Sequence, residues 1–115
     1  MERVRVVVTG MGAVTPIGLT ARDSWQSMLG GDSGVGPMTL CDPTDFPCRI
    51  AGEVKEFDPL NFIGLKESRR MARFSQFAVS AAAMAIEDAD LTIDSRKSFR
   101  SGVLLGNGNG GYPTI

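Results

Sequence analysis

Residues Val4–Gly18 read VRVVVTGMGAVTPIG, and the fold class turns on this stretch. Val4, Val6, Val7 and Val8, with Thr9 closing, make a short and almost continuous β-branched run bounded by glycine. Such a run predicts a strand buried on both faces, and therefore a parallel sheet covered by helices. Gly10 and Gly12 then let the backbone turn sharply or approach another element closely. Pro16 and Gly18 keep the exit extended before any helix begins.

The same turn has to be tested as a nucleotide loop. A dinucleotide fingerprint needs G-x-G-x-x-G opening a helix at once. Gly10 and Gly12 supply the first pair, but Thr15 stands where the third glycine belongs and Pro16 follows it. Asp32, at roughly the spacing of a ribose-binding acid, follows a helical pattern rather than a second strand. No Gly-Lys-Ser/Thr occurs anywhere, so a P-loop is absent. A structural strand exit is the better reading.

Composition sets outer bounds. A chain of 115 residues is at most one modest domain. The formal charge of −1 argues against nucleic acid or an anionic membrane as a bulk partner. Glu2, Arg3 and Arg5 surround too short an apolar run for a signal peptide, and no run approaches spanning length. Two cysteines without secretory context point to reduced thiols in a cytoplasmic setting. The absence of histidine removes the commonest general base and disfavours a zinc site. No metal and no cofactor is implied.

Downstream of the opening run, Thr20 to Leu29 predicts a helix with Thr20 and Asp23 near its cap and Trp25, Met28 and Leu29 on one face. Gly30-Gly31 ends it as a left-handed cap does. Glycines and prolines punctuate residues 32 to 58 too often for a long helix, and Arg49 to Val54 is expected to form a short strand. Cys41 and Cys48 lie in this excursion, where lone thiols are expected to be packing residues. Asp58-Pro59 starts a short helix that Gly64 breaks. The main helix is expected from Lys66 to Ala89, with Phe74, Ala78, Ala81, Ala82 and Ala85 forming a narrow face of small residues. Leu91 to Asp94 reads as a turn, and Ser101 to Leu105 (SGVLL) as a second buried strand. Strand, helix, strand in that order implies a right-handed parallel crossover.

Charge along the main helix is unusual. Lys66, Arg69, Arg70 and Arg73 crowd its expected start, while Glu87, Asp88 and Asp90 crowd its end. Both placements oppose the macrodipole, at about 0.3 to 1 kcal/mol per exposed charge. At helical spacing the four cations fall within roughly 100° of arc and repel one another. A solvated face is the ordinary reading of such a cluster; the local penalty makes an anionic partner the better one. GNGNGG follows the second strand, and Gly106, Gly108 and Gly111 spell a literal G-x-G-x-x-G. The small nucleotide-binding α/β alternative revives there, but Tyr112-Pro113 is a poor helix start.

VVVTGMGAVTPIG, SGVGPMTLCDPTDFPCRIAGEVKEFDP, LKESRRMARFSQFAVSAAAMAIEDADL and GVLLGNGNGG together resemble the β-ketoacyl-[acyl-carrier-protein] synthases of the elongating type II class. The resemblance covers essentially all 115 residues, as the N-terminal segment (1–115) of an incomplete thiolase-like domain. It implies an α/β fold, a homodimer as the complete enzyme, and an acyl carrier protein as partner. It implies decarboxylative condensation of acyl chains with malonyl carrier protein, in fatty acid or polyketide biosynthesis. Lys66, Arg69 and Arg70 match the family's carrier-docking positions; Arg73 matches none. Gly106, Gly108, Asn109 and Gly110 match the acyl-pocket loop, where Asn109 replaces a typically bulky apolar gate. The family's active-site cysteine and two histidines are expected beyond Ile115, so this chain carries no catalytic residue. A non-catalytic truncated carrier-binding homologue is the competing reading.

Overall fold

The computed structural model describes residues 3–110. Helix α1 spans Ala21–Gly30, and both of its ends obey the sequence signals. Thr20 Oγ1 accepts the Asp23 N–H at 3.1 Å and donates to the Asp23 carboxylate at 2.7 Å. One orphan donor of the first turn is thereby satisfied. At the other end Gly31 takes a left-handed φ of 75°. Its N–H reaches the Met28 carbonyl at 3.1 Å and the Asp32 N–H reaches that of Ser27 at 2.9 Å, which is a Schellman closure.

The excursion folds as a small hairpin. Strand β1 (Val35–Pro37) pairs antiparallel with β2 (Ile50–Gly52), Val35 facing Gly52 and Pro37 facing Ile50. The strand expected over Arg49 to Val54 is thus narrower by three residues. Beyond it, Glu53 reaches across and accepts the Thr39 N–H at 2.8 Å, the Leu40 N–H at 3.0 Å and the Thr39 hydroxyl at 2.6 Å. Arg49 Nη2 donates to the Thr44 carbonyl at 3.1 Å. Side-chain bonds to backbone therefore hold this loop, and Cys41 and Cys48 are both free and exposed. The expectation that they pack is corrected, because no core lies beneath the loop in this chain.

Asp58 caps the next turn, accepting the Leu60 N–H at 2.9 Å, and Pro59–Asn61 forms a single 3₁₀ turn. The long helix expected from Lys66 to Ala89 is two helices. Helix α2 covers Leu65–Ser68 and α3 covers Arg73–Asp88, with Ala72 extended between them (φ −64°, ψ 153°). The break has a physical reason. It takes Arg73 off the cationic face and places its guanidinium 5.8 Å from the Phe57 ring centroid and 4.9 Å from that of Phe77. The four-cation repulsion inferred for a continuous helix does not arise. Past α3, Asp94 caps a short helix, α4 (Ser95–Ser98), accepting from the Arg96 and Lys97 N–H groups at 2.9 Å each.

The strand exit lies directly on α3. A Cβ added at Gly10 would stand within 3.0 Å of the Ala85 carbonyl oxygen, the Ala89 nitrogen and the Ala89 Cβ. One added at Gly12 would collide with the Ala81 carbonyl oxygen, the Ala85 nitrogen and Met84 Cβ. Two glycines on one side and alanines spaced by four on the other thus bring backbone against backbone. The Met11 N–H between the glycines donates to Asp88 Oδ2 at 2.9 Å. One of the acidic residues that opposes the α3 dipole is therefore spent on this contact. Thr15 and Gly18 close a tight turn (2.8 and 3.2 Å), and Thr15 Oγ1 lies 2.9 Å from the buried Ser24 Oγ of α1.

The two runs expected to pair as parallel strands, Val4 to Thr9 and Ser101 to Leu105, have no strand partner among the described residues. The only sheet there is the antiparallel hairpin. The reason is visible in the exposure: Val4 is 89% exposed and Leu104 98%. Strands apolar on both faces need neighbours that this segment does not supply. Among the described residues Ile63 is the single buried apolar side chain. The accessible surface is 9802 Å², against about 6,100 Å² expected for a folded 12.3 kDa chain. The radius of gyration is 17.2 Å, against about 13 Å for a compact domain of this length.

The Glu53 anchor gives a signed pH dependence. The Thr39 hydroxyl bond, then the Leu40 and Thr39 N–H bonds, lower its carboxyl from 4.5 to about 2. A depressed folded value means that the stabilisation is fully present above 4.5 and is lost as pH falls toward about 2. Hydrogen exchange at the Thr39 and Leu40 amides should accelerate across that window, beyond the intrinsic pH trend, and Glu53→Gln should remove the extra acceleration. An anchor without effect would leave both amides on the intrinsic trend.

Candidate functional site

Lys66, Arg69 and Arg70 sit on the elbow between α2 and α3. Lys66 lies within α2, Arg69 caps its C-terminal end, and Arg70 follows with its N–H bonded to the Glu67 carbonyl at 3.0 Å. All three side chains are exposed, and among the described residues no hydrogen bond engages them. The patch thus spans the single turn of α2 and the residues just before the N-terminal end of α3. The break takes Lys66, Arg69 and Arg70 out of the first turn of the long helix, which relieves the dipole penalty inferred from the sequence. Exposure and mutual proximity, rather than dipole strain, are what mark the patch.

Arg73 stands apart from them. Its Nη2 donates to the Val54 carbonyl at 2.8 Å, and its guanidinium faces two phenyl rings that meet edge to face at 5.0 Å. Arginine over aromatic faces is held by the ring quadrupoles, about 0.5 to 1 kcal/mol at an exposed site. Sequence reasoning could not assign Arg73; Phe57 lies in a different element, and only the fold brings it there.

The glycine loop arrives at the same end of α3. Gly106 and Gly108 face open space, whereas a Cβ at Gly110 would meet the Phe74 ring at 2.8 Å. The Gly110 N–H donates to Asn107 Oδ1 at 3.2 Å. Asn109 is exposed and takes a left-handed φ of 47°. That conformation accounts for the residue type, since asparagine tolerates it and a β-branched gate would be strained there. The loop thus meets α3 at Phe74, in its first turn, and the elbow that carries Lys66, Arg69 and Arg70 precedes that turn in the chain. Gly111, Tyr112 and Pro113 lie outside the described residues. The nucleotide reading of Gly10 and Gly12 fails on geometry: they pack on α3 and open no helix.

The class of fold, thiolase-like α/β, is shown by likeness to a solved structure and by the family match. In three dimensions the chain is similar to "The ishigamide ketosynthase/chain length factor", with a TM-score of 0.69 and 37% identity over 79% of this chain and 23% of that one. The family described as "Beta-ketoacyl synthase, N-terminal domain" matches residues 3–115, and the chain belongs to it. Relatives named 3-oxoacyl-[acyl-carrier-protein] synthase 2 are 50% identical in Synechocystis over all of this chain and 46% identical in Coxiella burnetii. One from Staphylococcus aureus is 42% identical over 99% of the chain. The chain spans 28% of the length of each of these relatives.

Nothing in the described residues activates a nucleophile. No histidine exists to pair with Cys41 or Cys48, and both thiols are solvent-exposed in a loop. Among the described residues no group of three His, Cys, Asp or Glu side chains converges as a metal site would, and no helix is long and apolar enough to cross a membrane. Covalent catalysis needs a nucleophile beside a base. Transfer of an acyl group from a carrier thioester to Cys41 or Cys48 should therefore run at the rate of a free thiol, as measured by mass spectrometry of the 115-residue chain. Faster acylation at either position would show an activated site here.

Proposed function

We propose that this chain is the carrier-docking and acyl-pocket-entry segment of a 3-oxoacyl-[acyl-carrier-protein] synthase. The complete protein moves an acyl group from carrier phosphopantetheine to a cysteine thiol. It then condenses that acyl group with a malonyl carrier thioester, releasing carbon dioxide. The cysteine and histidines of that chemistry belong to the remainder of the enzyme, and the exposed valines and leucines of this segment are the surface on which that remainder packs. The complete enzyme works as a homodimer in the cytoplasm.

The observation carrying this reading is the patch of three exposed cations, Lys66, Arg69 and Arg70, on the elbow that precedes α3, whose first turn meets the Gly110 loop at Phe74. A carrier delivers its acyl group through a flexible arm, so the protein-binding cations and the chain-binding loop must be neighbours. Lys66, Arg69 and Arg70 meet acidic side chains of the carrier. The arginines also suit the phosphate of its arm as bidentate donors, which a lysine does not match. Exposed charges of this kind act chiefly on encounter rate and weaken with salt.

Two expectations follow for the complete synthase. The double change Arg69→Glu/Arg70→Glu should raise KM for carrier-bound substrate at least tenfold at low salt, about 1.4 kcal/mol. Turnover of a pantetheine-only thioester should stay within twofold, an order-of-magnitude bound on a contact that the small substrate never makes. Equal losses on both substrates would assign the arginines to folding, and no loss on either would leave them a solvated face.

Asn109 belongs to the wall that meets the acyl chain. Asn109→Leu, chosen over a β-branched residue because of the left-handed backbone, should move acyl preference toward shorter chains, while Asn109→Gly relieves the backbone and removes the side chain. A chain-length profile indifferent to both changes would remove the wall assignment.

A further inference from the structure

We propose that Gln76 is a positioning residue for the cationic elbow, holding Arg69 and Arg70 in the orientation that meets the carrier; this rests on the docking reading above. The observation is a bond that spans eight residues. From the first turns of α3, Gln76 Nε2 reaches back and donates to the Ser68 carbonyl at 2.8 Å. Ser68 is 5% exposed, and its own hydroxyl is turned inward to the Leu65 carbonyl at 3.0 Å. The Ser68 carbonyl also accepts the Met71 N–H at 3.3 Å, so it is the point where the elbow turns.

The elbow needs such an anchor. Helix α2 has four residues, far below the length at which a helix is stable on its own propensity. Gly64 and Ala72, the residues capping α2 and α3, provide no side-chain hydrogen bond. Arg69 and Arg70 bond back to α2, so the turn that carries them needs bracing from outside, by the Pro59–Asn61 turn it packs on and, from α3, by the Gln76 amide. Arg73 braces the same junction from the hairpin side through the Val54 carbonyl and the Phe57 and Phe77 rings. Those contacts occupy the charge of Arg73, which is why it belongs with the support and not with the docking cations.

Gln76 is neutral, so its role separates cleanly from that of the charges. Gln76→Met keeps reach and apolar bulk, removes the donor, and leaves every charge in place. In the complete synthase it should raise KM for carrier-bound substrate roughly fivefold, the effect of one lost neutral hydrogen bond. It should leave kcat and the pantetheine-only substrate unchanged, and speed hydrogen exchange of the Arg69 to Met71 amides. Arg73→Gln should raise KM without changing its dependence on salt, since the charge removed does not face the carrier. The Arg69→Glu/Arg70→Glu protein is measured alongside. Sensitivity to that charge reversal, with Gln76→Met silent in KM or in exchange, overturns the positioning role alone. An insensitive charge reversal overturns the docking reading and this inference together. Equal losses on both substrates for Gln76→Met make it a folding residue and also overturn the proposal.

Discussion

The close passage of Gly10 and Gly12 over the Ala81, Ala85 and Ala89 edge of α3 is the contact on which the remaining geometry depends. It leaves no space for a side chain, because a Cβ at either glycine would meet main-chain atoms that cannot move without unwinding the helix. The Met11 N–H to Asp88 bond fixes the register of that passage, a charged hydrogen bond of about 1.5 to 3 kcal/mol when shielded and less at an exposed site. With the strand exit pinned, the Thr15–Gly18 turn can hand the chain to α1, where Ser24 bonds both Thr15 Oγ1 and the Gly18 carbonyl. The direction of α1 and the placement of α3 are thus decided together.

At the opposite end of α3 the same helix organises the surface that faces outward. Gln76 and Arg73 both spend their donors on backbone carbonyls of other elements, Ser68 and Val54. The cations Lys66, Arg69 and Arg70, which make no side-chain hydrogen bond among the described residues, are displayed on the elbow between α2 and α3. Gly110 meeting the Phe74 ring brings the loop after the second apolar run to this end. One helix therefore carries structural packing along its alanine edge and the candidate site at its first turn.

Much apolar surface stays open: Val4, Val6 and Val8, then Val103 to Leu105, are each at least 72% exposed. Trp25, Met28 and Leu29 of α1 are likewise more than half exposed. Apolar side chains exposed on this scale suit a contact surface. The chain spans 28% of the length of the 3-oxoacyl-[acyl-carrier-protein] synthase 2 relatives that it matches.

The sequence by itself determined the features that depend on neighbours in the chain. The α1 caps at Thr20 and Gly31, the Asp58-Pro59 turn start and the affinity of the opening run for a sheet all follow from local backbone chemistry. So does the pairing of small residues: glycines in one element and alanines in another announced a close approach, although not with each other. The family was legible from the ordered motifs. Tertiary structure decided the rest, because it depends on distance between residues far apart in sequence. The break at Ala72 could not be read from Lys66 to Ala89, since what rewards it is Phe57 and the Ser68 carbonyl meeting side chains of α3. Exposure of Cys41 and Cys48, the absence of a strand partner for Val4 to Thr9 among the described residues, and the meeting of Gly110 with Phe74 were likewise invisible. A residue's type states what it can bind, and only the fold states which partner is within reach.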